Sequence, residues 1–273
     1  MLKIGFVDYF LDEWHANNYP KWFRAASEQL GEEFKIAYAW AELDMPPAGG
    51  KTTDAWCQEV GAQRCASLAE LCEKSDVIVI LSPDNPERHL DYAKAVLPYG
   101  KRTYIDKTFA PDYATACKIF AIAREHGTPF FSSSALRYAE ELKALDSPDG
   151  IITTGGGLLS RYIVHQAEMV VAKLGTGDFH VTARKQGAAT VFSVDYENGK
   201  RATVLHAPSY GFGVSLAKGN DEITPITPVA SPFFAALILD MARFFLTGEV
   251  SFDPNETLAV MKLIDLCLQA ERE

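Results

Sequence analysis

Val77-Ile-Val-Ile-Leu81 is a continuous apolar run rich in β-branched residues and bounded by Ser82-Pro83. A run this short fits a strand buried on both faces of a parallel sheet. Asn85 then offers an N-cap and Pro86 a first helical position, so the spacing predicts a helix to Leu97 that closes at Gly100. Arg102–Ile105 reads as the next strand, with Asp106-Lys107 just past its carboxyl end. Strand, helix, strand makes a βαβ unit with a right-handed crossover. In open α/β sheets ligands gather beyond the carboxyl ends of the strands. Ser82, Pro83, His89, Asp106 and Lys107 are therefore expected at one rim.

The rest of the first half extends this pattern. Leu2–Val7 reads as a buried strand, and Asn18 with Pro20 predicts a helix start that reaches Gly31. Phe34–Ala41 reads as a second strand. Glu42 follows it, where an acid can hold a ribose hydroxyl, though a solvated acid at a strand end reads equally well. No Lys or Arg follows before Lys51, so a 2′-phosphate is not invited. Helices are expected over Thr53–Val60, from the Ser67/Glu70 capping box to Lys74, and over Asp112–Glu125, with a sixth strand at Pro129–Ser133. Alternating strands and helices over residues 1–134 imply a Rossmann-like, doubly wound parallel sheet.

Residues 135–273 read differently. A linking helix is expected over 136–147, a glycine-rich turn region over Gly150–Gly157, and an amphipathic helix over Tyr162–Leu174. Alternating segments between Asp178 and Lys218, with Asn198-Gly199 as a hairpin signal, imply a mostly antiparallel sheet. Pro232–Leu246 and Pro254–Arg272 are read as closing helices, the second behind an Asp253 cap. The second domain is thus α/β, and its broad sheet face predicts a homo-oligomer, a dimer or tetramer.

The stretch from Ser82-Pro83 through His89, Ala93, Ala95 and Gly100-Lys101 to Asp106-Lys107-Thr108 resembles the glucose–fructose oxidoreductase / inositol dehydrogenase / MocA family. That family has a Thr-Pro loop, a His, an alanine-rich helix, a Gly-Lys turn and a Glu-Lys-Pro motif. The likeness runs ungapped over roughly thirty residues. Asp106 replaces Glu and Thr108 replaces Pro. Further on, Gly155-Gly-Gly157 and His165 match, Glu168 stands for a later Asp, and Arg161 and Ile163 replace an Asp and a Gly. The resemblance implies an oxidoreductase that uses NAD on a hydroxyl of a sugar, polyol or related small molecule. It implies Lys107 and His165 as catalytic residues. Asp8, Glu42, Ser82, Pro83, His89 and Asp106 would lie toward the cofactor. Lys107, Arg161, Tyr162, His165, His15 and Asn18 would lie toward the substrate. A relative that has lost its cofactor and binds or regulates is the alternative.

Each residue type has its chemistry and its bland reading. A Lys ammonium at a strand end can polarise a carbonyl or carry a proton, or simply pair with Asp106. A His titrates near neutrality, yet many are core residues bonded to a carbonyl. Asp8, Asp12, Glu13 and His15 lack recognisable metal-ligand spacing. No G-x-S-x-G elbow suggests a hydrolase. A formal charge of −10 argues against nucleic-acid or anionic-membrane partners. Five cysteines without CxxC spacing, and a first strand that begins at residue 2, predict a reduced cytoplasmic protein with no signal peptide.

The first loop is the anomaly. After Gly5, inside the strand, no glycine follows until Gly31. Asp8 occupies the place of the first fingerprint glycine and Phe10 that of the second. These side chains, with the charges of Asp12 and Glu13, predict weak or altered dinucleotide binding. His15, Asn17 and Asn18 are expected at the mouth of a cleft that Lys107 and His165 share.

Overall fold

The computed structural model describes residues 1–273. The chain divides into two compact units, Met1–Ser132 with Leu237–Phe252, and Ser133–Ala236 with Asp253–Glu273. A single cut after residue 134 does not describe this division, because a helical segment near the C-terminus returns to the first unit.

The first unit is built on a six-stranded parallel sheet. Its elements are β1 (Leu2–Asp8), α1 (Trp14–Leu30), β2 (Phe34–Ala41), α2 (Thr53–Val60), β3 (Gln63–Arg64), α3 (Leu68–Lys74), β4 (Val77–Ile80), α4 (His89–Val96), β5 (Thr103–Ile105), α5 (Tyr113–His126) and β6 (Phe130–Phe131). The strand order β3-β2-β1-β4-β5-β6 is that of a doubly wound dinucleotide fold. Ile4, Phe6, Val7 and Val77–Ile80 are fully or almost fully buried, as helices on both faces require. Gly5 is a packing residue: a Cβ there would lie 2.3 Å from Ser75 Oγ and 2.7 Å from Leu71 Cδ2, so its absence lets α3 close on the sheet.

Two expectations shift here. α1 begins four residues before Asn18, and Pro20 lies inside it. The cap is Glu13, whose side chain takes backbone N–H groups of the first turn, so a later start is not needed. Asn85 does cap by position but not by side chain; Pro86–Arg88 form a 3-10 turn that leads into α4, and Gly100 ends the following turn in the left-handed region at φ 67. Ser67 caps as read, with Glu70 N on Ser67 Oγ at 3.2 Å, while the Glu70 carboxylate accepts from Ala66 N at 2.7 Å.

The second unit holds a seven-stranded sheet made of β7 (Gly150–Gly155), β8 (Phe179–Gln186), β9 (Ala189–Tyr196), β10 (Arg201–His206), β11 (Gly213–Lys218), β12 (Glu222–Ile223) and β13 (Thr227–Pro228). The order is β12-β11-β7-β10-β9-β8, with β13 on β11, and only β7 and β10 run parallel. Helix α6 (Leu159–Leu174) and helix α8 (Asn255–Ala270) belong to this unit. Alternate residues such as Val181, Phe192, Val194, Ala202 and Val204 are buried on one face. Asn198-Gly199 makes the expected hairpin, with Gly199 at φ 86.

Gly150–Gly155 is therefore a central strand, not a turn: Ile151-Ile-Thr-Thr154 is a β-branched run, and its flanking glycines serve close packing. A Cβ on Gly155 would lie 2.5 Å from Gln166 Oε1. The expected linking helix at 136–147 is two 3-10 turns, Ala135–Tyr138 and Glu140–Lys143, parted by extended Ala139. Helix α7 (Phe233–Thr247) is formed as read, and from Leu237 onward it serves the first unit. There Phe245 stacks on Phe23 at 6.3 Å, and Arg102 donates to the carbonyls of Phe245 and Leu246. No helix of the chain is long and apolar enough to cross a membrane.

Candidate active site at the carboxyl ends of the strands

Parallel strands bring Asp8, Glu42, Ser82 and Asp106 to one end of the first sheet, as expected for that rim. Asp106 is the most connected of them. It is 1% exposed, and its Oδ2 accepts from His15 Nδ1 at 2.5 Å. Its Oδ1 accepts from Tyr104 Oη at 3.1 Å and Tyr19 Oη at 3.3 Å. Burial is the strongest influence on this carboxyl and acts upward, but His15 and Lys107 outweigh it and hold the group down at about 2. The His15 and Tyr19 rings stack at 5.3 Å, one helical turn apart on α1. A carboxylate that fixes Nδ1–H of a histidine sets its tautomer and orients Nε2, an arrangement suited to proton transfer.

Lys107 is half-buried and follows Asp106 directly. His89 is fully buried and braces the rim rather than facing it. Its ring nitrogens meet Leu81 O at 2.6 Å and Phe109 O at 3.0 Å, which ties the end of β4 to the segment beyond β5. Burial lowers its pKa. Ser82 is buried in the left-handed region at φ 73 and donates to Asn85 O, so it shapes the turn. Pro83 is half-buried in that turn.

Glu42 is engaged by Arg88 at 2.7 Å and by Tyr92 Oη at 2.8 Å. Asp8 is buried, one oxygen accepting from Tyr9 N at 2.7 Å and the other, Oδ2, without a hydrogen-bond partner. Burial and the nearby Glu13 charge push its carboxyl well above the ordinary range. Asp12 points elsewhere: it accepts from Lys51 N at 2.8 Å and Asn17 Nδ2 at 2.9 Å, which holds the loop after β2. Asn17 also accepts from Trp56 Nε1, and Asn18 bridges Trp14 O and Lys21 within α1, so both amides are spent inside this unit.

In the second unit, α6 carries the remaining candidates. His165 Nδ1 is 2.7 Å from Ser134 Oγ, and its ring lies edge-on to Phe212 at 5.1 Å and beside Tyr162 at 5.8 Å. Arg161 and Tyr162 are exposed on the first turn. Glu168 does not replace an acidic partner of His165. It is buried against Arg137 at 2.6 Å, which also holds Glu256 at 2.7 Å. Gln166 is buried between β7 and β10, donating to Thr153 and Leu205 carbonyls and facing His206 Nδ1 at 3.0 Å. Tyr19, Tyr104, Ser134 and His206 were not singled out by spacing. Tyr19 was legible only as an aromatic one turn after His15. No set of three or more His, Cys, Asp or Glu side chains could hold a metal ion.

The chain has a Rossmann-type unit and an α/β unit built on a mostly antiparallel sheet, and this fold is shared with solved structures of oxidoreductases. Solved structures with this fold include GenD2 from gentamicin A biosynthesis in complex with NAD, with a TM-score of 0.77 at 13% identity, covering 100% of this chain and 94% of that one. An NAD binding oxidoreductase from Klebsiella pneumoniae gives 0.77 at 14%, covering 100% and 97%. Scyllo-inositol dehydrogenase from Lactobacillus casei gives 0.75 at 14%, covering 99% and 96%. In sequence, the chain is 32% identical over 68 residues to YhhX, an uncharacterised oxidoreductase of Escherichia coli strain K12. That match spans 24% of this chain and 20% of the relative's length. No family model matches the chain.

Proposed function

We propose that this protein is an oxidoreductase acting on a hydroxyl group of a sugar, polyol or related small molecule, with NAD as its redox partner. The observation that carries the reading is the position of Lys107, next to buried Asp106 at the carboxyl end of β5. The relatives in fold include an inositol dehydrogenase and a protein in complex with NAD, which supports the same reading. Lys107 would donate a hydrogen bond to the reacting oxygen and move its proton. His15, oriented by Asp106, is a candidate proton carrier in the same unit. His165, held by Ser134, is the corresponding candidate on α6. We propose a homo-oligomer formed through the second sheet, and a cytoplasmic location.

The fit to a dinucleotide is uneven. Glu42 keeps acceptor capacity for a ribose hydroxyl beyond the two donors it already has. The first loop does not fit a pyrophosphate: the N–H groups that would hold it face Glu13 instead. That observation favours a second reading, a relative without cofactor that binds or regulates. Purified protein incubated with NAD and a panel of polyols and sugars, followed at the nicotinamide absorbance band, tests the first. Turnover with at least one of them is expected, and kcat should fall about 10²–10⁴-fold in Lys107→Ala. Absence of turnover across the panel, with no dinucleotide released on denaturation, would leave the second reading in place.

A further inference from the structure

In a doubly wound fold the pyrophosphate of a dinucleotide sits on the N–H groups that open the first helix, at the positive end of its dipole. In this chain that seat has an occupant from the chain itself. Glu13 is the N-cap of α1, with extended backbone at φ −130 and ψ 170. Its Oε2 accepts from His15 N at 2.7 Å, and its Oε1 accepts from Ala16 N. An N-cap is ordinarily a short Ser, Thr, Asn or Asp. A glutamate here brings both carboxyl oxygens on a longer stem to the two donors at once, and burial pushes that carboxyl up to about 7, so it is anionic above that pH.

The position is telling. With Asp8 in the place of the first fingerprint glycine, G-x-G-x-x-G spacing puts the third at Glu13. The neighbouring acid, Asp12, is turned to Lys51 and Asn17 and does not compete. Asp8, at the end of β1, has a buried carboxyl oxygen with no hydrogen-bond partner, and burial together with the Glu13 charge pushes that carboxyl well above its ordinary range.

We infer that Glu13 is a resident anion in the pyrophosphate seat, which a dinucleotide must displace in order to bind, and that Glu13 more than the missing glycines sets this chain's dinucleotide affinity. The inference rests on the dinucleotide reading proposed above. Removing the carboxylate frees two N–H donors and one like charge. Glycine is itself accepted at helix N-caps.

NADH titrated into full-length wild type, Glu13→Gly and Glu13→Ser by calorimetry reads this directly, with thermal melts to show that each is folded. Glu13→Gly is expected to bind about tenfold tighter than wild type or better. Glu13→Ser keeps a small neutral cap and should show the same direction. Micromolar binding by wild type with no tightening in either folded variant would overturn the inference and leave the dinucleotide reading standing. No binding by wild type or by either folded variant at millimolar NADH would overturn both.

Discussion

His15 Nδ1 and Asp106 Oδ2 lie 2.5 Å apart, one at the start of α1 and the other at the end of β5, both almost fully buried. The pair joins the first loop of the sheet to the strand that presents Lys107. Burying a carboxylate is costly unless it is hydrogen-bonded and paired. Asp106 meets that requirement with His15, Tyr19 and Tyr104, and so stays ionised at the centre of the rim.

The pH dependence of stability follows from the direction of that shift. Asp106 is held at about 2, below its ordinary 3.8, so the unfolded chain binds the proton more readily. Its stabilisation is present above about pH 4 and is lost as pH falls through about 2. The shift corresponds to about 2 kcal/mol. Asp106→Asn should lower neutral-pH stability by that order and flatten the acid limb between pH 4 and 2. Urea unfolding at several pH values measures it; an unchanged acid limb would count against the network.

The two tyrosines on Asp106 allow a finer test. Tyr104→Phe removes one charge-assisted donor, and Tyr19→Phe another, without changing the ring packing. Each should cost about 1–3 kcal/mol. Since both act on one oxygen, the double variant should cost less than the two single effects together. Strict additivity would mean that the hydroxyls stabilise something other than Asp106.

Much of this arrangement was legible in the sequence because it follows from local patterns. Val77–Ile80 was readable as a doubly buried strand, and Gly31, Gly61, Gly100 and Gly127 as helix ends, since each requires the left-handed region. The first helix was misplaced for a physical reason. Its cap is a glutamate, a residue with weak capping preference, and its proline sits well inside rather than at the first turn. β7 was read as a turn because its glycines answer to partners distant in sequence, Ala217 and Gln166, which no local pattern reveals. Lys107 and His165 were expected as candidates from their positions, whereas the pairing of His15 with Asp106 joins residues far apart in the chain and needs the fold. Glu168 was read only as standing for a later Asp of the resembling family; its partner, Arg137, lies on a turn that had been taken for helix.

Gly5 gives a packing prediction in the first unit. A methyl group there meets Ser75 Oγ and Leu71 within 2.7 Å, so α3 must move away from the sheet. Gly5→Ala should destabilise by about 1–3 kcal/mol, the usual range for overpacking. Gly31→Ala, also a glycine substitution but with nothing within 4 Å, is a strain control at positive φ. Chemical denaturation compares the two. A loss at Gly5 relieved by Leu71→Ala would confirm that crowding, rather than strand propensity, is the cause.

The last prediction concerns Arg137, which is buried with Glu168 at 2.6 Å and Glu256 at 2.7 Å. Breaking a buried ion pair from one side leaves a charge without its counterion, and typically costs about 3–5 kcal/mol. Burial already raises the Glu168 carboxyl, and Arg137 is the main influence holding it down. In Arg137→Met that restraint is gone, so the folded-state pKa of Glu168 should rise further. A raised carboxyl takes up a proton on folding, so its favourable contribution is present at low pH and lost as pH rises through the folded value. Arg137→Met should therefore be most destabilised at pH 8 and recover part of the loss toward pH 5. Glu168→Gln combined with Arg137→Met should recover most of it at every pH. A loss of stability that is the same at pH 5 and pH 8 would show that Arg137 acts by packing and not by charge.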